Sequence, residues 1–309
     1  MSPTILVAGV VSLYISVNVR GFPVTYEPSA KPGWARSGTA GVASHIARVH
    51  RALGNDVRLC TLVGRDTAGE AIRAELARDG LSGPGVVESP SSSLGVVLVD
   101  PSGRRMGMPH LTALDRVEYP FEVLREQARG ADLLVLTNAK FVRPLLPRAD
   151  ALGIPIAVDV HLADDPAGEY NRPWLERARI VFCSHERLGD PRAWVADLLR
   201  RYPRCEVAGV GMGARGALAG LRDGRLVEVP AVAPAGVVNT SGAGDALFAT
   251  FLDGWCRHGD AGAALRDGVL HAGWKVGHRL PASVSLTRAE LAALRAAAAP
   301  PVTWGRWDG

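Results

Sequence analysis

The sequence predicts an α/β fold in which a mostly parallel sheet has helices on both faces, and two observations support it. Short runs rich in Val, Ile and Leu recur along the chain and predict buried strands at 4–11, 57–63, 132–137, 154–160, 179–183 and 205–210. Amphipathic segments between them predict helices at 41–53, 67–79, 119–129, 143–152, 170–178 and 191–202. Buried strands that alternate with helices are typical of a parallel sheet, because each crossover helix covers one of its faces.

The rest of the chain departs from this alternation. Three predicted helices follow one another without intervening strands, at 243–256, 260–277 and 287–298. Residues 12–36 and 84–110 contain short strand-like runs separated by turn residues, which could form a small separate sheet. We therefore expect one domain over residues 1–309, with these two excursions forming a lid over an active site.

The composition argues for a globular protein that acts on small molecules. Hydrophobic residues make up 47% and charged residues 21% of the chain, as in ordinary globular domains. The net charge is +4, but the arginines are scattered and form no basic stripe, so a nucleic-acid partner is not expected. A mildly positive field would suit an anionic substrate such as a nucleotide. The four cysteines stand far apart without metal-binding spacing, so neither disulfides nor a metal site is predicted.

The apolar N-terminus is predicted to be a buried strand that runs into a second one. Residues 5–17 resemble the core of a signal peptide, but no Lys or Arg precedes them and no cleavage site follows. The stretch is also too short to span a bilayer. We expect a cytoplasmic protein that is not bound to a membrane.

The strongest motif runs from Val237 to Asp245 and reads VVNTSGAGD, followed at once by the apolar run ALFATFL. This order predicts a strand-like segment, a glycine turn and the start of a long helix. The first amides of a helix lack partners and lie at the positive end of its dipole, so they bind anions. Asp245 could then accept a proton from an attacking hydroxyl while these amides hold phosphoryl oxygens. The alternative is that Asp245 only caps the helix.

This motif resembles the second signature, D-T-x-G-A-G-D, of the PfkB/ribokinase family of carbohydrate kinases. Residues 40–69 resemble the first signature, since a glycine-led helix ends in Leu-Gly and a strand closes on VGRDTAG at 63–69. The segment GMGARGAL at 211–218 is similar to the stretch that lines the nucleotide site in this family. The resemblance implies a doubly wound α/β domain with a β lid and transfer of a phosphoryl group from ATP, with Mg²⁺, to a sugar-like hydroxyl. It also implies that Asp245 is the catalytic base and that the transferring group lies on Gly242, Ala243 and Gly244.

On the nucleotide side, the resemblance implies a set of binding residues, namely Asn239, Thr240, Gly211, Gly213, Gly216 and Glu186. Asn239 stands where the family usually has Asp, so one charge near the metal is lost. The N-x-x-E motif that organises Mg²⁺ in the family is replaced by SHER at 184–187, where Glu186 is the remaining carboxylate.

On the acceptor side, the resemblance implies roles for Tyr14, Gly41 and His45. Tyr14 and His45 replace an Asp and an Asn of the family, which removes a carboxylate and adds flat surface. This substitution favours an acceptor with a flat or apolar part, as in a nucleoside. Asn18 and Asn138 are further candidates for the same pocket, although both could instead satisfy turn backbone. The remaining histidines that we considered suggest no site, namely His110, His161, His258 and His271.

Other phosphoryl-transfer and dinucleotide classes are excluded. Gly211, Gly213 and Gly216 match a dinucleotide fingerprint, but the residues after them predict a strand and a turn instead of a helix. The sequence has neither a Walker A motif nor a protein-kinase catalytic loop. Two alternatives stay open, a nucleoside kinase of the same fold and a kinase homologue that binds ligand without turnover. The resemblance also suggests a homodimer that pairs through the lid.

Overall fold

The computed structural model describes residues 2–111, 114–163, 165–280 and 283–308. Its strands are β1 (Thr4–Ala8), β2 (Ser12–Asn18), β3 (Ala35–Ala40), β4 (Asp56–Gly64), β5 (Val86–Ser89), β6 (Ser93–Val99), β7 (Arg105–His110), β8 (Leu133–Leu136), β9 (Ile156–Leu162), β10 (Ile180–Ser184), β11 (Val207–Gly211), β12 (Ala217–Leu221), β13 (Arg225–Val229) and β14 (Thr303–Arg306). Its helices are α1 (Val42–Ala52), α2 (Thr67–Arg78), α3 (Phe121–Ala128), α4 (Leu146–Asp150), α5 (Arg172–Leu175), α6 (Pro191–Arg201), α7 (Ala243–His258), α8 (Ala261–Lys275) and α9 (Arg288–Ala298).

The main sheet has ten strands in the order β14-β13-β12-β11-β10-β9-β8-β1-β4-β5. The parallel part of the sheet consists of β11, β10, β9, β8, β1, β4 and β5, in that spatial order. The strands β12, β13 and β14 add an antiparallel edge. Alternate residues of β1 face opposite hydrophobic cores, with Ile5 and Val7 in one and Leu6 and Ala8 in the other. Because both faces of the strand are covered, it reads as a continuous apolar run. The predicted fold class is confirmed.

A second, smaller sheet has the order β3-β2-β6-β7 and is built from the two predicted excursions. One boundary of the prediction is wrong, because residues 86–89 form β5 and pair in parallel with β4 of the main sheet. Val86 and Val87 pack against the two different cores, which explains this placement. We call the small sheet the lid sheet from here on.

Several predicted helices are shorter than the sequence pattern suggested. The segment predicted at 170–178 is helical only over Arg172–Leu175, and the one at 143–152 divides into a 3₁₀ turn at Arg143–Leu145 followed by α4. Pro144, Pro147 and Pro173 contribute to this shortening, because a proline without an N–H is tolerated only in the first turn of a helix. Among the residues that the structure describes, no helix combines the length and the apolar character needed to cross a membrane.

Candidate active site

The centre of the candidate site is the N-terminus of α7. Gly242 is the N-cap residue, with φ 71° in the left-handed region, and no side chain of the described residues forms a capping hydrogen bond with the helix. A Cβ on Gly242 would overlap the imidazole ring of His45 from α1. Glycine is therefore required here both for its backbone conformation and for space. The Ala243 N–H donates to the Thr240 carbonyl at 3.3 Å. The next two amides of the first turn, those of Gly244 and Asp245, can serve as the donors that an anion needs.

Asp245 is partly exposed at this helix start, and its pKa is raised from 3.8 to about 6. Burial by the surrounding protein is the main cause, and the nearby Asp159 carboxylate adds to it. The charges of His161, Arg105 and Lys275 oppose the increase. A carboxylate held near neutral pKa in a cleft is suited to accept a proton.

Two residues at the end of β9 join Asp245. Asp159, His161 and Asp245 each place a ligand-type atom within 4.8 Å of the others. His161 has φ 58°, unusual for a residue other than glycine, and its backbone N–H donates to Asp159 Oδ1 at 2.8 Å. The sequence pattern assigns His161 to no site, whereas the structure places the residue beside Asp245. Its position at the carboxyl end of a parallel strand, where α/β sheets bind ligands, was the available signal.

Lys275, at the end of α8, is a buried cation that the sequence did not single out. Its side chain is 0% exposed, and Nζ donates to the Val284 carbonyl at 2.6 Å and to Ser285 Oγ at 3.4 Å. Burial lowers its pKa to about 7, and the Asp245 charge partly offsets this effect. The lysine thus supplies positive charge from the interior side of the site.

The loop before α7 connects the helix to the lid sheet. Asn239 Nδ2 donates to the Arg279 carbonyl at 3.0 Å, and Asn239 Oδ1 accepts from Ser241 N at 2.9 Å. Thr240 Oγ1 donates at 3.1 Å to the carbonyl of Gly103, in the turn between β6 and β7. The two predicted nucleotide residues Asn239 and Thr240 therefore make structural contacts that shape the loop and dock the lid turn on it.

The other predicted nucleotide residues lie at the end of β11 and in the turn after it. Gly211 lies against Leu247 of α7, and its carbonyl accepts from His185 Nδ1 at 3.1 Å. Gly213 and Gly216 have φ 57° and 100°, so this tight turn depends on glycine. Glu186 lies in the 3₁₀ turn after β10, is exposed, and forms no ion pair within the described part of the chain.

The predicted acceptor residues divide into two groups. Tyr14 and His45 lie near Asp245 or its helix, whereas Asn18 and Asn138 bond to backbone. Asn18 Nδ2 donates to the Val99 carbonyl at 3.2 Å inside the lid sheet, and Asn138 Nδ2 donates to the Val160 carbonyl at 3.2 Å. Both side-chain amides thus donate hydrogen bonds to backbone carbonyls.

Tyr14 and His45 have distinct electrostatic states. The Tyr14 ring lies over Gly95, and burial raises the pKa of its hydroxyl. His45 is 6% exposed, and its Nδ1 has no hydrogen-bond partner among the described residues. Burial, followed by the Lys275 charge, lowers the pKa of His45 well below its usual value, so the ring is neutral. Gly41, the N-cap of α1 with φ 97°, brings α1 against the Val10 carbonyl, which a Cβ would crowd.

Comparison with known families identifies the class of the protein. The model of the pfkB family carbohydrate kinases matches residues 3–288, so the chain belongs to this family. A curated relative, the bifunctional protein HldE of Rhodopseudomonas palustris, is 28% identical in an alignment of 273 residues that covers 80% of this chain. The chain spans about half of that protein, 54% of its length.

Solved structures show the same fold. A microbiome-derived acarbose kinase superposes with a TM-score of 0.86 at 24% identity, covering 96% of this chain and 100% of that one. A ribokinase of Arabidopsis thaliana in complex with ribose and ATP gives 0.77 at 18% identity, with 95% and 99% covered. A nucleoside kinase of Burkholderia thailandensis in complex with inosine gives 0.76 at 22% identity, with 95% and 98% covered.

Proposed function

We propose that this chain transfers the γ-phosphoryl group of ATP to a hydroxyl of a small sugar-like molecule, with Asp245 as the general base. The observation that carries the proposal is the placement of a carboxylate with a pKa of about 6 in the open first turn of α7. Asp245 takes the proton of the attacking hydroxyl, and the amides at Gly242 to Gly244 hold the transferring group. Phosphoryl transfer is catalysed mainly by positioning and electrostatics, and these parts contribute to both.

The nucleotide would lie beside the 211–216 turn, and Mg²⁺ would accompany its phosphates. Mg²⁺ takes oxygen ligands and usually keeps several waters. The exposed carboxylate of Glu186 fits this requirement, because it is not engaged by a basic side chain in the described ranges. The cluster of Asp159, His161 and Asp245 fits less well, because it includes a ring nitrogen and the proposed base. Bound Mg²⁺ would neutralise charge on the phosphates, while the chain positions the acceptor.

The test is a phosphotransfer screen with ATP and Mg²⁺ over sugars and nucleosides, with wild type and Asp245→Asn side by side. We expect kcat to fall by about 10²- to 10⁴-fold in the variant, while ATP binding is retained. Below pH about 6, kcat/KM of the wild type should fall, because the base becomes protonated.

Asp267→Asn is a matched control. Asp267 also has a pKa raised by burial, but it lies on α8 and pairs with Arg295 of α9 at 2.6 Å. This variant should keep its turnover. An Asp245→Asn enzyme with an unchanged rate would refute the assignment, and ATP binding without transfer to any acceptor would favour the non-catalytic homologue.

A nucleoside is the second candidate acceptor, and one observation favours it. The Tyr14 ring lies over Gly95 on the lid sheet and supplies an aromatic surface near Asp245. A nucleoside should then bind more tightly than its free sugar. Equal affinity of inosine and ribose in a competition assay would exclude this version.

A second copy of the chain is proposed to cover the other face of the lid sheet. Strand register places four residues on that face that are 43–49% exposed, namely Ile15, Leu94, Met106 and Met108. An apolar sheet face of this kind commonly marks an interface. Light scattering after size exclusion should give the mass of a dimer, and Met106→Lys should give a monomer. A monomeric wild type would exclude the pairing.

A further inference from the structure

The face of the lid sheet that carries Tyr14 lacks side chains at two positions, because both are glycines. Strand register places Tyr14 opposite Gly95 and places Gly107 opposite Val97, all on the same face. Because the two glycines have no side chains, the Tyr14 ring lies over Gly95, and Arg105 Nη1 lies 3.7 Å from the position of a Cβ on Gly107. The Tyr14 ring and the Arg105 guanidinium thus lie on the same face of the lid sheet.

The Arg105 side chain differs from its backbone, which pairs with β6. Within the described part of the chain, its guanidinium forms neither an ion pair nor a hydrogen bond. The adjacent Arg104 is different, because its guanidinium pairs with Asp100 at 2.8 Å and holds the lid turn. Arg104 therefore has a structural role, whereas the guanidinium of Arg105 has no partner among the described residues.

The Arg105 guanidinium is also close to the reaction centre. Its charge offsets part of the increase that burial causes in the pKa of Tyr14, and it acts in the same direction on Asp245. It contributes, after burial, to the low pKa of His45 as well. These three groups surround the place where an acceptor hydroxyl must lie if Asp245 is the base.

We propose that the acceptor carries an anionic group, a carboxylate or a phosphate, which Arg105 binds while Asp245 deprotonates a hydroxyl at the other end of the molecule. The inference rests on the proposed kinase function and narrows its substrate class to sugar acids and sugar phosphates. A planar guanidinium forms bidentate, charge-assisted hydrogen bonds with both anions. The neutral His45 imidazole and the Tyr14 hydroxyl remain to bind hydroxyl groups of the same acceptor.

The position of Arg105 favours the acceptor over the nucleotide as its ligand. In the proposed function, the first turn of α7 holds the transferring phosphoryl group and the 211–216 turn lies beside the nucleotide. Arg105 instead projects from β7 of the lid sheet, on the face that carries Tyr14. A molecule bound between the lid sheet and Asp245 would therefore contact Arg105.

The experiment compares neutral sugars with anionic derivatives of the same sugars. Ribose is paired with ribose 5-phosphate, glucose with glucose 6-phosphate, and glucose with gluconate. The value of kcat/KM is measured for wild type, Arg105→Met and Arg104→Met. We expect wild type to prefer one charged member at least tenfold. Arg105→Met should lose about 10- to 100-fold on that member and less than threefold on the neutral one, and Arg104→Met should keep the preference.

The outcomes separate this inference from the function on which it rests. An equal loss of kcat on charged and neutral acceptors would assign Arg105 to the transferring phosphoryl group and overturn the inference, as would a wild type that prefers neutral acceptors. Transfer to no acceptor would count against the proposed function instead. Thermal shift with the same sugars then decides the inference, because anionic sugars should stabilise wild type and not Arg105→Met. Absence of such binding would overturn it.

Discussion

Replacing Asp245 with Asn should stabilise the protein at neutral pH, although it should lower kcat by about 10²- to 10⁴-fold. The pKa of this carboxyl is about 6 in the folded protein, against an ordinary value of 3.8. A raised pKa means that ionisation of this carboxyl costs the native state free energy. The contribution of Asp245 to the free energy of unfolding is therefore fully present below pH about 4 and is lost as pH rises through about 6. Asparagine keeps the shape of the side chain and has no charge to bury.

The magnitude follows from the size of the pKa difference. A difference of about 2 pH units corresponds to ~3 kcal/mol at pH 7.5, since each unit is worth about 1.4 kcal/mol. Asp245 is partly exposed, so solvent screening reduces this to roughly 2–3 kcal/mol. With an unfolding entropy of about 2 cal/mol/K per residue, a chain of 309 residues should gain roughly 3–5 °C in Tm.

Asp253 provides a matched control on the same helix with the opposite sign. It is 4% exposed and accepts hydrogen bonds from Asn55, Arg257 and Arg288 at 2.9–3.0 Å. Burial alone would raise its pKa, but these donors outweigh burial and lower it. Its stabilising contribution is therefore present at neutral pH and is lost as pH falls. Asp253→Asn should lower Tm at pH 7.5, because breaking a buried pair costs about 3–5 kcal/mol.

The assay is differential scanning calorimetry of wild type and both variants at pH 7.5 and pH 4.5. Asp245→Asn should melt several degrees above wild type at pH 7.5 and close to it at pH 4.5. The deficit of Asp253→Asn should be largest at pH 7.5. The reasoning would be refuted if Asp245→Asn melted below wild type at pH 7.5, or if its advantage were the same at both pH values.

Two further predictions concern the surroundings of Asp245. Gly242→Ala should lose both stability and activity, since it combines left-handed strain of about 1–2 kcal/mol with overlap of the His45 ring. Gly236 is the control, because it has φ 73° and open space where a Cβ would lie. Gly236→Ala should lower Tm by the effect of the strain alone and keep its rate. Lys275→Met should shift the acid limb of the pH–rate profile to higher pH, because the Lys275 charge lowers the pKa of Asp245. A limb at unchanged pH would show that the lysine does not act on the base.

The prediction from sequence was most successful where local pattern and long-range packing agree. The parallel strands were predicted because both faces of each are covered, which leaves a continuous apolar run. The start of α7 was predicted because a glycine turn before a long apolar helix has few alternatives. The short helix α5 and the strand β5 were predicted less well, since prolines and edge contacts decide them.

The sequence alone determined the family, the fold class and the identity of the candidate base, because these depend on contiguous motifs and on hydrophobic periodicity. Tertiary structure decided which charges surround that base. His161, Lys275 and Arg105 come from β9, α8 and the lid sheet, and their effect on Asp245 depends on distance and burial, which no local pattern contains. It also decided that Arg104, in the turn before β7, pairs with Asp100, whereas Arg105, the first residue of β7, lies on the face of the lid sheet that carries Tyr14. Only the fold brings these groups together, because the pairing of β7 with β6 and of β6 with β2 joins segments that are far apart in the sequence.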